Sequence, residues 1–348
     1  MPATPPLDRH PVRGHAYPSS STDRQHYGRM PFGLGAIGAP HPAGLRSRLR
    51  PAPTPRRRAG TRIRIAALAL ALAGCTAQAG GGPCDPPRKA GALSAEVDES
   101  SGVAASRRHT GVLWTINDSG GEPALFAVDS AGRILGRTRV TGARNVDWED
   151  LALGPCPDGD CLYIADTGDN RLRRDHVVVY RIPEPRPGDA ATPPAEAYRI
   201  RYPNGPRDVE AIFVLPGGDL FLVSKGRGHP IAVYGYPPPL RPDSTVEVEE
   251  VARLSDAAVG LAYQVTGAVA SDDGRWVAIR TYAAIRFHRI EPDGRLDPRP
   301  LAEVDLQPLA EPQGEAIGVR PDGTLVLTSE AGPAGIPGFI SFLDCRVP

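Results

Sequence analysis

From about residue 90 onward, short apolar runs alternate with clusters of turn residues, and no stretch keeps a helical period. The pattern predicts strands throughout. Five times an apolar segment runs into a tight polar turn and returns as a second apolar segment. The pairs are Val103-Ala104-Ala105 with Leu113-Trp114-Thr115-Ile116, Leu151-Ala152-Leu153 with Leu162-Tyr163-Ile164-Ala165, and Ile212-Phe213-Val214 with Leu220-Phe221-Leu222-Val223. Ala268-Val269-Ala270 with Trp276-Val277-Ala278-Ile279 and Ala316-Ile317-Gly318 with Leu325-Val326-Leu327-Thr328 complete the set. Four of the turns hold Gly beside Asp (Asp158-Gly159, Gly218-Asp219, Asp273-Gly274, Asp322-Gly323), the chemistry that hairpins require.

A third strand follows each hairpin, at 125–128, 177–182, 231–236, 285–290 and 339–343. A fourth follows the first four hairpins, at 134–140, 197–201, 246–254 and 301–306, but the fifth repeat reaches the C-terminus one strand short. Residues 92–97 can supply it from the other end. Four-stranded repeats closed by strands from both termini predict an all-β, five-bladed propeller over residues 91–348. Gly102, Glu149, Glu210, Gly267 and Glu315 mark the starts of the first strands, roughly fifty to sixty residues apart, the spacing of blades with insertions.

The segment before the propeller differs. Residues 1–60 are rich in Pro, Arg, His, Gly and Ser, and cannot offset their ordering entropy by burial. They read as a disordered leader, or as codons upstream of the true start. Residues 61–75 then read as a signal peptide: arginines up to Arg64, the apolar run Ile65–Ala73, and Leu72-Ala73-Gly74-Cys75. That ending resembles the lipobox of bacterial lipoproteins, which implies lipidation of Cys75, a mature N-terminus there, and an exported, lipid-anchored protein facing the periplasm or exterior. Residues 76–90 form a linker. With Cys75 committed, four cysteines remain, an even number for an oxidising compartment. Cys84 and Cys345 flank the strands that close the ring, and Cys156 and Cys161 straddle one hairpin, so Cys84–Cys345 and Cys156–Cys161 are the expected disulfides.

Charge changes the picture by exclusion. Forty basic residues balance forty acidic ones, which argues against a nucleic-acid partner. No nucleophile elbow, phosphate loop, dinucleotide fingerprint or zinc motif occurs. A monomer with a small-molecule or protein ligand is the expectation.

Geometry then gathers scattered polar residues. In a propeller the first strand is innermost and the second runs antiparallel beside it, so the start of one and the end of the other share a rim. At the starts lie Asp147, Glu149, Asp208, Glu210 and Glu315; at the ends lie Asn117, Asp118, Asp166, Asp169, Asn170, Lys225, Arg280 and Glu330. Three chemistries fit. Glu149, Glu210, Glu315, Asp166 and Asn117 offer the oxygen donors of a Ca²⁺ site. Two carboxylates of unlike pKa would serve a hydrolase of sugars, lactones or phosphate esters. Alternatively the carboxylates pair with Lys225 and Arg280 and only hold the blades together, as in an interaction module. Arg280 with Tyr282 behind it would also suit a ligand carboxylate or phosphate.

Three segments, Trp114-Thr115-Ile116-Asn117-Asp118-Ser119-Gly120, Asp147-Trp148-Glu149-Asp150-Leu151-Ala152 and Ile164-Ala165-Asp166-Thr167-Gly168-Asp169-Asn170, carry a resemblance to a family of uncharacterised bacterial secreted propeller proteins. Asp208-Val209-Glu210-Ala211, Val265-Thr266-Gly267-Ala268, Arg280-Thr281-Tyr282 and Gln313-Gly314-Glu315-Ala316 extend it over residues 100–330. The chain departs from that family at Ile116, where a His is expected, and at Gly121, where an acid is expected. Asp166-Thr167-Gly168-Asp169-Asn170 is also distantly similar to NHL repeats. The resemblance implies fold and export and no particular activity.

Overall fold

The computed structural model describes residues 83–347. The leader, the signal peptide with Cys75, and residues 76–82 of the linker lie outside the described residues. The first strand, β1 (Arg88–Ala92), belongs to the last blade. Blade 1 is β2 (Ser100–Ala105), β3 (Leu113–Asn117), β4 (Ala124–Val128) and β5 (Ile134–Arg139). Blade 2 is β6 (Trp148–Cys156), β7 (Gly159–Asp166), β8 (Val177–Pro183) and β9 (Glu196–Arg201). Blade 3 is β10 (Val209–Val214), β11 (Leu220–Ser224), β12 (Ala232–Gly235) and β14 (Glu249–Arg253), with β13 (Thr245–Glu247) set apart from it. Blade 4 is β15 (Val265–Ala270), β16 (Trp276–Thr281), β17 (Ala284–Ile290) and β18 (Leu296–Asp305). Blade 5 is β19 (Gln313–Val319), β20 (Leu325–Glu330), β21 (Phe339–Leu343) and, from the N-terminal side, β1. The five-bladed propeller that the repeats predict is the observed fold.

Burial explains the strand compositions. The inner strands β2 and β10 are buried along their whole length, so they carry only small and apolar residues with a few satisfied polar ones. The outer strands β5 and β14 alternate, because one face meets solvent. The core is divided into five wedges, each between two neighbouring blades. Trp114 and Leu125 meet Trp148 and Leu162 between blades 1 and 2, and Tyr163 and Tyr198 meet Tyr234 and Tyr236 between blades 2 and 3.

Two strands differ from expectation. The closing strand is Arg88–Ala92, starting in the expected linker and meeting the expected 92–97 only at Ala92, with Arg88 opposite Phe342 and Ala92 opposite Phe339. The outermost strand of a blade tolerates polar Arg88 and Lys89, whereas Leu93 and Val97 are buried in the wedge between blades 5 and 1. The expected single strand 246–254 is broken. Thr245–Glu247 pairs in parallel with β9 of blade 2 before the chain joins blade 3, because Val246 and Val248 are buried in the wedge between those blades.

Both expected disulfides are present, Cys84–Cys345 across the ring closure and Cys156–Cys161 across the blade 2 hairpin. They are the bonds of a chain that folds in an oxidising compartment, as an exported protein does. No helix among the described residues is long and apolar enough to cross a membrane.

One backbone irregularity recurs in every blade. The pairing of first and second strands skips one residue, at Ser101, Glu149, Glu210, Thr266 and Glu315. Each skip is a β-bulge, which re-aims the extra side chain. The five bulged residues are therefore equivalent, and Ser101 and Thr266, not Gly102 and Gly267, correspond to the three glutamates. The residues that follow are Gly102, Asp150, Ala211, Gly267 and Ala316. Four are small, and a Cβ at Gly102 would press into the backbone of Asp150 and Leu151. Asp150 is the exception. Its fully buried carboxylate accepts N–H bonds from Leu151 (2.8 Å), from Ile212 of blade 3 (2.9 Å) and from Ala268 of blade 4 (3.3 Å). Burial still pushes its pKa up to about 8.

Candidate functional site

We call upper the face on which first strands start and second strands end. The bulges deliver Glu149, Glu210 and Glu315 to the upper mouth of the channel, and the polar residues gathered there fall into two groups. The first group is satisfied. Asp166 accepts from Arg174 Nη1 (2.9 Å) and from the Asp147 amide (3.1 Å). The Asp169 carboxylate accepts the amides of Arg173 (2.9 Å) and Arg174 (2.8 Å) and so shapes its own loop. Asp208 pairs with Arg227 (2.9 Å) and receives the Asp169 amide (2.9 Å). Asn170 accepts from Arg227 as well.

Lys225 Nζ lies 2.7 Å from Glu210 Oε1, and that carboxylate, together with Glu149, holds the ammonium protonated above its ordinary range. Glu315 accepts from Gln313 Nε2 (2.8 Å) and the Tyr282 hydroxyl (3.3 Å). Arg280 is not on the open rim. It is fully buried between blades 4 and 5, donating to the carbonyls of Ala316 (2.6 Å) and Thr328 (3.1 Å) and pairing with Glu311, a residue outside the predicted set. Asn117 donates its amide to the Glu96 carbonyl (2.9 Å).

The second group is unsatisfied. Glu149 is only 8% exposed, yet its carboxylate accepts no hydrogen bond among the described residues. It lies against Gly168, where any side chain would collide with Glu149 Oε1 and Asp147 Oδ2. The glycine is needed for that close approach. Asp118 Oδ1 and Asn117 Oδ1 are buried without partners. One oxygen from each of Asp118, Asp147 and Glu149 lies within 4.8 Å of the others, and the same holds for Glu149, Asp208 and Glu210. Among the described residues only the first trio is free of ion pairs; in the second, Arg227 and Lys225 already serve Asp208 and Glu210. The grouping thus retains Glu149 from the predicted cation ligands, adds Asp118 and Asp147, and leaves Glu210, Glu315 and Asp166 to other partners.

The carboxylates raise one another. Burial, then Asp208, pushes Asp147 up to about 6; burial, then Asp147 and Glu99, pushes Asp118 to about 7. Glu330 rises to about 9 through burial and the neighbouring Glu315, Asp118 and Glu99. Glu149 is held well above the ordinary range by burial and then by Glu210. Desolvated like charges with few counterions favour either protons or a cation.

No family model matches the sequence, and no curated protein matches it. Among solved structures, the chain is similar to the PQQ-bound aldose sugar dehydrogenase of Streptomyces coelicolor, with 13% identity over 76% of this chain and 99% of that one and a TM-score of 0.44. It is similar to the apo-form soluble aldose sugar dehydrogenase of Escherichia coli at 10% identity, over 75% and 99% of the two chains, with a TM-score of 0.42. A putative gluconolactonase aligns at 14% identity over 73% and 77%, with a TM-score of 0.41. Likeness at this level carries no argument about chemistry.

Proposed function

We propose that the protein is a cell-envelope binding protein, anchored by lipid on Cys75, whose upper channel mouth takes up a hard divalent cation and, through it, a ligand. The observation that carries this reading is Glu149, a buried carboxylate without a hydrogen-bond donor, grouped with the unpaired Asp118 and Asp147. The donors are all oxygen, which suits Ca²⁺ and disfavours softer metals. Three carboxylates leave part of a six-to-eight-oxygen shell open, and a ligand's hydroxyl or carboxylate oxygens would complete it. Calorimetric titration with Ca²⁺, and melting with Ca²⁺ against chelator, test the site. Saturating cation raises the melting temperature by several degrees, and Glu149→Gln abolishes the rise. Absence of both heat and shift retires the reading. For the anchor, Cys75→Ser should release the protein from the membrane fraction, and retention there would remove that half.

A second reading rests on the spread of pKa values across one mouth. With Asp147 near 6 and Glu330 near 9, a carboxylate base and a carboxylic acid coexist at neutral pH, the pairing that hydrolysis of glycosides, lactones or phosphate esters uses. Turnover of such a substrate, lost in both Asp147→Asn and Glu330→Gln, would favour it over binding alone.

A further inference from the structure

The upper face carries a feature that the cation site does not use. Seven large apolar side chains are exposed among the described residues, and five of them, Val146, Leu172, Leu261, Tyr263 and Ile336, sit on upper-face loops. The other two, Leu135 and Val251, lie on the outer strands β5 and β14, so the lower-face loops carry none. The five come from the loop entering blade 2, the β7–β8 loop, the loop entering blade 4 and the β20–β21 loop. They form an incomplete apolar collar, at blades 2, 4 and 5. Leu261 is 70% exposed, and Leu172 is held outward at a left-handed φ of 51°. That conformation is unfavourable for a bulky residue by about 1–2 kcal/mol. It is imposed by a built turn: the Leu172 amide donates to the Asp169 carbonyl (2.8 Å), and the Asp169 carboxylate takes the next two amides.

Inside this collar the charge is negative. Lys225 is committed to Glu210 and Arg227 to Asp208, while Glu99, Asp118 and Glu330 form no ion pair among the described residues. A divalent cation on Asp118, Asp147 and Glu149 would leave Glu99 and Glu330 still uncompensated.

We infer that the upper face docks a partner protein that projects a lysine or arginine, flanked by apolar residues, into the acidic mouth. A set of apolar side chains spread over blades 2, 4 and 5 suits a polypeptide surface better than a small molecule seated in the mouth, with a central charged anchor and an apolar surround that excludes water. A second copy of this chain in face-to-face contact would set two acidic mouths against each other. Arg171 and Arg173 flank Leu172, so the partner carries acidic groups on the side that meets blade 2.

The test uses three fluorescent, amidated peptides, Leu-Leu-Arg-Leu-Leu, Ser-Ser-Arg-Ser-Ser and Leu-Leu-Glu-Leu-Leu, titrated by anisotropy against the purified protein in Ca²⁺ and in chelator. The basic apolar peptide should bind at least tenfold more tightly than either control. The triple variant Leu172→Ser, Leu261→Ser, Ile336→Ser should lose at least fivefold while its melting temperature and Ca²⁺ response stay unchanged. No binding, equal binding of a control peptide, or full binding by the triple variant overturns the proposal. Selective peptide binding without any Ca²⁺ response would remove the cation reading alone, and a Ca²⁺ response without peptide preference would remove the docking proposal alone.

Discussion

The two faces of the propeller handle charge in opposite ways. On the lower face the turns satisfy themselves: Asp129 pairs with Arg133, Asp273 with Arg275, Asp293 with Arg295, and Asp322 with Arg320. Arg107 leaves the blade 1 hairpin and bonds Asp160 of blade 2 (2.8 Å) and Asp272 of blade 4 (2.6 Å), over a cavity of about 350 Å³ walled by Val103, Leu151, Phe213 and Val269. Both disulfides are on this side as well. The upper face has no disulfide among the described residues; beside the β7–β8 loop that pairs Arg174 with Asp166, it keeps buried carboxylates without a counterion and apolar side chains left in water. One end of each hairpin is committed to holding the ring, which frees the other end to keep unsatisfied groups.

This contrast can be broken, beginning with the largest effect. Arg280 is a buried upper-face cation that serves structure. Arg280→Met should cost about 3–5 kcal/mol, since it strands Glu311 and two carbonyls. A loss below 1 kcal/mol in denaturant titration would show that the upper face bears no structural charge. Removing the ring staple with Cys84→Ser and Cys345→Ser should cost about 2–4 kcal/mol, seen as an earlier melt that matches reduced wild type.

The faces should also titrate with opposite signs. Asp118, Asp147 and Glu330 have folded pKa values above their ordinary ones, so the stability they give is complete at low pH and is lost as pH rises through about 6 to 9. Asp129, Asp273 and Asp322 are lowered by their own turns, so their small contribution is present above the ordinary carboxylate range and is lost on acidification. In chelator the melting temperature should fall by several degrees between pH 5 and pH 9, and Ca²⁺ should remove most of that slope. A flat profile would mean that the upper carboxylates are already compensated.

Glu149→Gln should then stabilise the chelator-treated protein at pH 8 by about 1 kcal/mol, because glutamine removes a carboxyl group whose ionised form burial disfavours, even as cation binding is lost. Loss of stability would instead mark Glu149 as structural. Last, Arg275→Ala, at an exposed lower-face turn, should change stability by less than about 0.5 kcal/mol.

Most of the architecture was legible because it is written in local signals. Alternating apolar runs, Gly–Asp turns and one missing strand predict five blades, and paired cysteines at both ends predict the staple. Glu149 and Glu210 were legible as mouth residues because they repeat. What escaped depends on convergence in space. Arg174, in the aperiodic run Arg171-Leu172-Arg173-Arg174, gives no sign that it will reach Asp166, and Glu311 gives none that it will meet Arg280. Neither Glu99 nor the apolar collar has any period to betray it. The bulges have no composition of their own, so Gly102 and Gly267 stand one residue away from the true equivalents of the glutamates. Aligned on the bulges, Asp150 would have stood out as an acid where every other blade has Gly or Ala.

That single acid also acts on the ring as a whole. Four blades bring small residues to the axis, and Asp150 spans the remaining gap by bonding the backbones of two blades other than its own. Blades 2, 3 and 4 are thereby clamped by one buried carboxylate. Asp150→Gly would make the ring uniform and release that clamp, at the expense of three buried hydrogen bonds.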